Sequence, residues 1–166
     1  MFIHYFSRGN YLTRLHLTPN IFLTLTVLST LATEGRFVIS VLLIDDDPDL
    51  LYITGLALGE EEDFSLTPCS SPADALKLAQ SQRFDAIVCD YYMPGMDGCS
   101  LMSLLRQNGS SAQHILFSGK GPDEEIPDSI PRNIDVYVQR RGNPAAEYRE
   151  LKEIIRTAFS AVKEPL

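Results

Sequence analysis

The sequence has little that would tie it to nucleic acid, to a disulfide scaffold or to a bilayer. Basic residues are outnumbered: 14 Lys and Arg stand against 22 Asp and Glu, a formal net charge of −8. A surface with that balance repels a phosphate backbone, so nucleic acid is not an expected partner. Cysteine is scarce. The three present, Cys69, Cys89 and Cys99, have no zinc-ligand spacing, and an odd count makes no disulfide framework; reduced thiols in a cytoplasmic protein are expected. The apolar run Ile21 to Ala32 is too short to span a bilayer, so no membrane partner is expected. There is no internal repeat and no low-complexity linker.

What is present is a globular composition. Hydrophobic residues make up 45% and charged residues 22% of 166 positions, enough for one domain with a real core. Residues 1–37 stand apart. Arg8 and Arg14 precede the apolar, threonine-rich run, which mimics a signal peptide. A secretion signal and a peripheral anchor compete with the reading preferred here, an N-terminal extension outside the fold, arising from a start assigned too far upstream. The domain pattern is expected over residues 38–166, with no room for an output domain after Leu166.

From there, short apolar runs alternate with helical spacing. Ser40–Ile44, Phe64–Cys69, Ala86–Cys89, His114–Phe117 and Val136–Val138 read as strands. Pro68 cannot donate to a ladder, which sends the second strand to an edge. Pro48, Pro72 and Pro144 open helices, where a missing N–H costs little. The first helix takes its apolar face from Leu50, Leu51, Ile53, Thr54, Leu56, Ala57 and Leu58. The acidic run Glu60 to Asp63 reads as a solvated turn. Gly98 to about Gln107 gives a third helix, and the last runs from Pro144 to about Val162. Pro122, Pro127 and Pro131 break the place of a fourth helix into an irregular segment. This order predicts an α/β fold: a doubly wound, five-stranded parallel sheet in the flavodoxin-like order 2-1-3-4-5.

The organising stretch is Ala86-Ile87-Val88-Cys89-Asp90-Tyr91-Tyr92-Met93-Pro94-Gly95-Met96-Asp97-Gly98. Asp90 stands where a buried strand stops. An aspartate there is commonly only a turn cap. A second cluster, Asp45-Asp46-Asp47, ends the strand Val41–Ile44, and the predicted order brings the two strand ends together. Carboxylates so placed repel, and a divalent cation relieves them. The loop Ser118-Gly119-Lys120-Gly121 is glycine-rich but lacks the Walker pattern.

Those acid clusters, the run Asp90-x-x-Met93-Pro94-Gly95-Met96-Asp97-Gly98, Ser118 closing its strand, and Tyr137 in the last strand carry a resemblance. The chain from about Ile39 to Val162 resembles a receiver domain of a two-component response regulator. The resemblance implies a phosphorelay protein that accepts a phosphoryl group on Asp90 from a sensor histidine kinase or phosphotransfer protein. It implies Mg²⁺ held by Asp45, Asp46, Asp90 and the backbone carbonyl of Tyr92, with Asp46 the direct ligand and Asp45 acting through water. Asp47 is left as solvated. Ser118 would contact a phosphoryl oxygen. The family's lysine at the end of the fifth strand is missing; Gln139-Arg140-Arg141 stands there, and Arg140 is taken as its replacement ahead of Lys120. Ser118 and Tyr137 would form the switch, biasing a protein-interaction face toward a downstream target that the sequence does not name. Such a protein is a stand-alone cytoplasmic signalling phospho-acceptor, not a metabolic enzyme. Two other readings compete. One is a degenerate receiver that binds partners without phosphorylation. The other is a haloacid dehalogenase-type phosphatase built on Asp45-x-Asp47, although Asp49 replaces that family's threonine or valine.

Overall fold

The structure is a computed structural model of the 166-residue chain, and it describes residues 38–119 and 133–163. The N-terminal extension, Lys120 and the proline-rich segment in the place of a fourth helix lie outside the described residues.

In chain order the elements are β1 (Ile39–Ile44), α1 (Pro48–Gly59), β2 (Phe64–Cys69), α2 (Pro72–Ser81), β3 (Ala86–Cys89), α3 (Gly98–Gln107), β4 (Gln113–Ser118), β5 (Val136–Gln139) and α4 (Pro144–Lys163). The five strands form one parallel sheet in the order β2-β1-β3-β4-β5, as the alternation predicts. The strand with Pro68 lies at the edge. Near-continuous apolar strands are what a sheet covered on both faces requires.

Side chains alternate between the two faces. Leu42, Ile44, Ile87, Cys89 and Leu116 pack in a core with Ala75 of α2 and with Leu101, Met102 and Leu105 of α3. Val41, Leu43, Val88, Ile115, Phe117 and Val138 pack on the opposite face with Leu58 of α1 and with Leu151 and Ile155 of α4. No helix among the described residues is long and apolar enough to cross a membrane.

The helix starts follow their capping residues. Asp47 accepts from the Asp49 and Leu50 amides, Ser71 from the Asp74 amide, and Asp97 from the Ser100 amide, satisfying N–H groups that a helix start leaves unpaired.

Two expectations need correction. The first helix was expected to turn Ile53 and Leu56 inward, but they are 46% and 55% exposed, while Thr54 and Leu58 are its buried residues. The helix is apolar nearly all round, so periodicity does not single out the inner face. The acidic turn is also more than a solvated surface. Arg156 of α4 pairs with Glu61 at 2.7 Å and with Asp63 at 2.9 Å, and Lys152 reaches Glu61 at 2.9 Å. The turn fastens α4 to the edge of the sheet.

Candidate functional site: an acid pocket spanned by one arginine

Register builds the site. Ile44 pairs with Cys89 across β1 and β3, so the next residues, Asp45 and Asp90, leave the sheet side by side. The Asp90 amide donates to the Ile44 carbonyl at 2.8 Å and locks that offset. This is the carboxyl edge of the sheet at its topological switch point, where α/β folds bind ligands. Both side chains are largely buried; Asp45 is 8% exposed and Asp90 7%. Asp46 follows, half-buried. Asp47 is exposed, and its carboxylate is engaged in capping α1.

The loop after β3 holds Asp90 from behind. The Tyr92 amide donates to Asp90 Oδ2 at 2.7 Å. In this structure Tyr92 therefore meets Asp90 through its N–H; the carbonyl expected as a metal ligand belongs to the same loop. Gly95 takes a positive φ of 81° in the turn, a conformation that suits glycine. Gly98 is required for another reason. A Cβ there would lie 2.2 Å from the Asp90 carbonyl oxygen. The start of α3 thus presses directly against the backbone that carries Asp90.

Arg140 closes the pocket from the other side. Ser118 pairs with Gln139, and the Arg140 amide donates to the Ser118 carbonyl at 2.8 Å. The arginine then reaches back over the sheet. Its Nη2 donates to Asp90 Oδ1 at 2.7 Å, and its Nη1 lies 3.5 Å from Asp45 Oδ2. The guanidinium carbon stands 5.2 Å from the centre of the Phe117 ring, a cation–π distance. Ser118 is 1% exposed at the end of β4. Tyr137 pairs with Leu116 in β5 and is half-buried against the α2–α3 face; burial raises its phenol above the ordinary value. The structure thus brings Asp45, Asp90, Ser118 and Arg140 to one strand-end edge, and places Tyr137 two strand positions before Gln139.

Burial pushes the Asp45 carboxyl up to about 6, and the neighbouring Asp90 charge adds to this. The Asp47 amide, donating to Asp45 Oδ1 at 3.0 Å, and the Arg140 charge oppose it.

One positioning residue escaped the sequence reading. Glu147 of α4 is 8% exposed, and its Oε1 accepts from the Arg141 amide at 2.5 Å and the Asn143 amide at 2.9 Å. It ties down the turn directly after Arg140. The signal available was an asparagine before Pro144 with a glutamate four residues on, close to the spacing of a capping box.

The donor set fits Mg²⁺ in kind: every candidate is a hard oxygen, and Mg²⁺ takes a few carboxylates and fills the rest of its octahedron with water. Among the described residues no three acidic, histidine or cysteine side chains are gathered as a metal cage, and the positive charge between Asp45 and Asp90 is that of Arg140.

The comparisons with known proteins agree with the fold. The family model of the response regulator receiver domain matches residues 41–152. The chain belongs to this receiver domain family. The transcriptional regulatory protein GlrR of Escherichia coli K12 is 32% identical over 89 residues, 54% of this chain and 19% of GlrR. The nitrate/nitrite response regulator NarL of the same organism is 28% identical over 106 residues, 63% of this chain and 49% of NarL. The chain therefore spans between a fifth and half of the length of these relatives. Among solved structures, the response regulator TrrA of Thermotoga maritima in complex with Mg²⁺-BeF is 25% identical, with a TM-score of 0.63 over 72% of this chain and 98% of TrrA. The receiver domain is a module of phosphorelay signalling, in which such domains act as phospho-acceptors rather than as metabolic enzymes.

Proposed function

We propose that this receiver accepts a phosphoryl group on Asp90, in a Mg²⁺-dependent reaction, from the phosphohistidine of a partner kinase or phosphotransfer protein. The observation that carries the reading is the pairing of Asp90 with Arg140 beside Asp45 at the carboxyl edge of the sheet. It gathers a nucleophilic carboxylate, a second acid and a phosphate-binding cation within one pocket.

In the step, an Asp90 carboxylate oxygen attacks phosphorus and the phosphorus–nitrogen bond to the donor histidine breaks. An acyl phosphate forms, and the histidine nitrogen leaves with the bonding electron pair. Catalysis of this kind is mostly positioning and electrostatics. Mg²⁺ held by Asp45, Asp46, Asp90 and the Tyr92 carbonyl would neutralise phosphoryl charge. The Tyr92 amide orients Asp90. Arg140 offers its planar fork to a phosphoryl oxygen, for which arginine is well shaped. The Ser118 hydroxyl at the end of β4 donates to another. Movement of Ser118 toward the phosphoryl group would open space for Tyr137 and so change the face near β5 that a downstream protein reads.

The haloacid dehalogenase reading is less well supported, because Asp47, the second acid of its motif, caps α1. A phosphorylation-independent docking module keeps one supporting observation: Arg140 already offsets part of the negative charge of the acid pair without added metal.

Incubation with acetyl phosphate, followed by intact-mass spectrometry, separates these readings. One added phosphoryl group that needs Mg²⁺ and is absent in Asp90→Asn is the expected result. A folded protein that gains none, from either acetyl phosphate or a phosphorylated histidine kinase, would favour the docking module.

A further inference from the structure

We infer that Thr54 is a positioning residue for the acid pair: its hydroxyl, backed by Tyr148, holds one buried water against the Asp45 and Asp90 carboxylates. This rests on the phospho-acceptor reading above and adds to it a residue of α1 and a water site.

Thr54 is out of keeping with its helix. Its neighbours in α1 are mostly apolar, yet Ile53 and Leu56 are exposed while a threonine, 5% exposed, takes an inward position. A buried hydroxyl costs free energy unless it is hydrogen-bonded. Among the described residues the Thr54 hydroxyl meets that of Tyr148 at 3.4 Å, which is long for an O–H···O bond. A hydroxyl has one proton to donate and two lone pairs to accept with, so this contact leaves most of its capacity unspent. Tyr148 also lines an open groove between α1 and α4, where solvent reaches.

Thr54 and the acid pair share a cavity. It has a volume of about 10 Å³ and is lined by Thr54, Asp45 and Asp90, with apolar walls that include Leu51, Val88 and Phe117. That is about the least volume that admits one water, and a water settles in such a place where two or more polar groups meet it. Here three do. The carboxylates have sites to spare: Asp45 Oδ1 accepts from the Asp47 amide and Asp90 Oδ2 from the Tyr92 amide, and each carboxylate oxygen has a second lone pair. Donors and acceptors then balance. Tyr148 donates to Thr54 Oγ1, Thr54 donates to the water, and the water gives one proton to each carboxylate. Two protons aimed at neighbouring anions offset part of their repulsion. Phe117 braces the chain of contacts. Its ring lines the cavity, packs against Tyr148 at 5.7 Å between centroids, and lies 5.2 Å from the Arg140 guanidinium.

Crystals of the wild type, Thr54→Ser and Thr54→Val read the water, and phosphorylation by acetyl phosphate at saturating Mg²⁺ reads its effect. A water bonded to Thr54 Oγ1 and to at least one carboxylate is expected in the wild type and in Thr54→Ser, and no water in Thr54→Val. The rate in Thr54→Val is expected to fall about fivefold, the worth of one ordinary hydrogen bond. Thr54→Ser should recover most of it. Thermal melting should show Thr54→Val no less stable than the wild type, since its shape is kept and a buried hydroxyl is removed. No water in the wild type would overturn the inference. So would an unchanged rate in Thr54→Val, or a Thr54→Ser variant as slow as Thr54→Val, which would place the loss in packing. If the wild type takes up no phosphoryl group, the phospho-acceptor reading fails separately, and the crystals decide the inference: the Asp45 and Asp90 side chains must leave their wild-type rotamers in Thr54→Val, and unmoved side chains reject it. If Thr54→Val fails to fold, the water in the wild type and in Thr54→Ser decides.

Discussion

Arg140 Nη2 stands 2.7 Å from Asp90 Oδ1, in a pocket where the two side chains are 16% and 8% exposed. The proposed phospho-acceptor is thus paired with a cation. Breaking such a pair from one side leaves an uncompensated carboxylate. In Mg²⁺-free buffer, Arg140→Ala is expected to lose about 2–4 kcal/mol of stability, a little under the range for a fully buried pair. Adding Asp90→Asn should restore much of it. Urea denaturation of the single and double variants checks this, and additive losses would mean the pair contributes little.

Gly98 gives a sharper steric test. A Cβ there would stand 2.2 Å from the Asp90 carbonyl oxygen and 3.1 Å from Leu116 Cδ1, whereas one on Gly55 in α1 meets nothing within 4 Å. Gly98→Ala is expected to cost about 1–3 kcal/mol through forced backbone displacement. Gly55→Ala should stabilise by up to about 1 kcal/mol through helix propensity. Opposite signs in chemical denaturation are the signature; two similar values would deny the close approach of α3 to Asp90.

Glu147 should act on the turn after Arg140 rather than on the pocket directly. Its carboxylate accepts from the Arg141 and Asn143 amides. Replacement by Ala is expected to cost about 1.5–3 kcal/mol, the usual worth of bonds to a charged acceptor. Hydrogen exchange of those two amides should accelerate more than that of the β1 amides. Uniform acceleration would indicate general destabilisation instead.

His114 sets a pH dependence. It is wholly buried in β4; its ring nitrogens meet the Asn133 carbonyl at 3.0 Å and Ser110 Oγ at 3.1 Å, with Arg106 and Asp135 nearby. Burial, reinforced by the Arg106 charge, pushes its pKa down to about 4 from 6.5. The unfolded chain therefore binds the proton first as the pH falls. The His114 contribution is complete above about 6.5 and drains away between there and about 4, on the order of 3 kcal/mol in all. Relative to the wild type, His114→Asn should show a flatter loss of stability across that window. Parallel curves would reject the assignment.

Much of this was legible in the sequence because local signals agreed with one another. Pro68 marked the edge strand, Pro72 a helix start, and the apolar runs ending in Asp45 and Asp90 the two strands that meet. Once the order 2-1-3-4-5 is accepted, those aspartates must be neighbours. What was hidden depended on contacts distant in sequence. Arg156 reaches Asp63 across 93 residues, so the acidic turn read as mere surface. In α1 apolar residues ring the helix, and only the sheet decides that Thr54 and Leu58 face in while Ile53 and Leu56 do not. Arg140 was read from the sequence only as the residue standing where the family's lysine would. That its fork would span two carboxylates follows from the register of β4 on β5 and from the Phe117 ring, and neither can be read from residue identities alone.

The most direct test of the central claim is to locate the acyl phosphate. The protein is phosphorylated with acetyl phosphate and Mg²⁺, reduced with borohydride, which converts an aspartyl phosphate to homoserine, and mapped by peptide sequencing. Homoserine at position 90, and at no other aspartate, is the expected result. Homoserine at 45 or 46, or an unmodified Asp90 in protein whose mass shows a bound phosphoryl group, would contradict it.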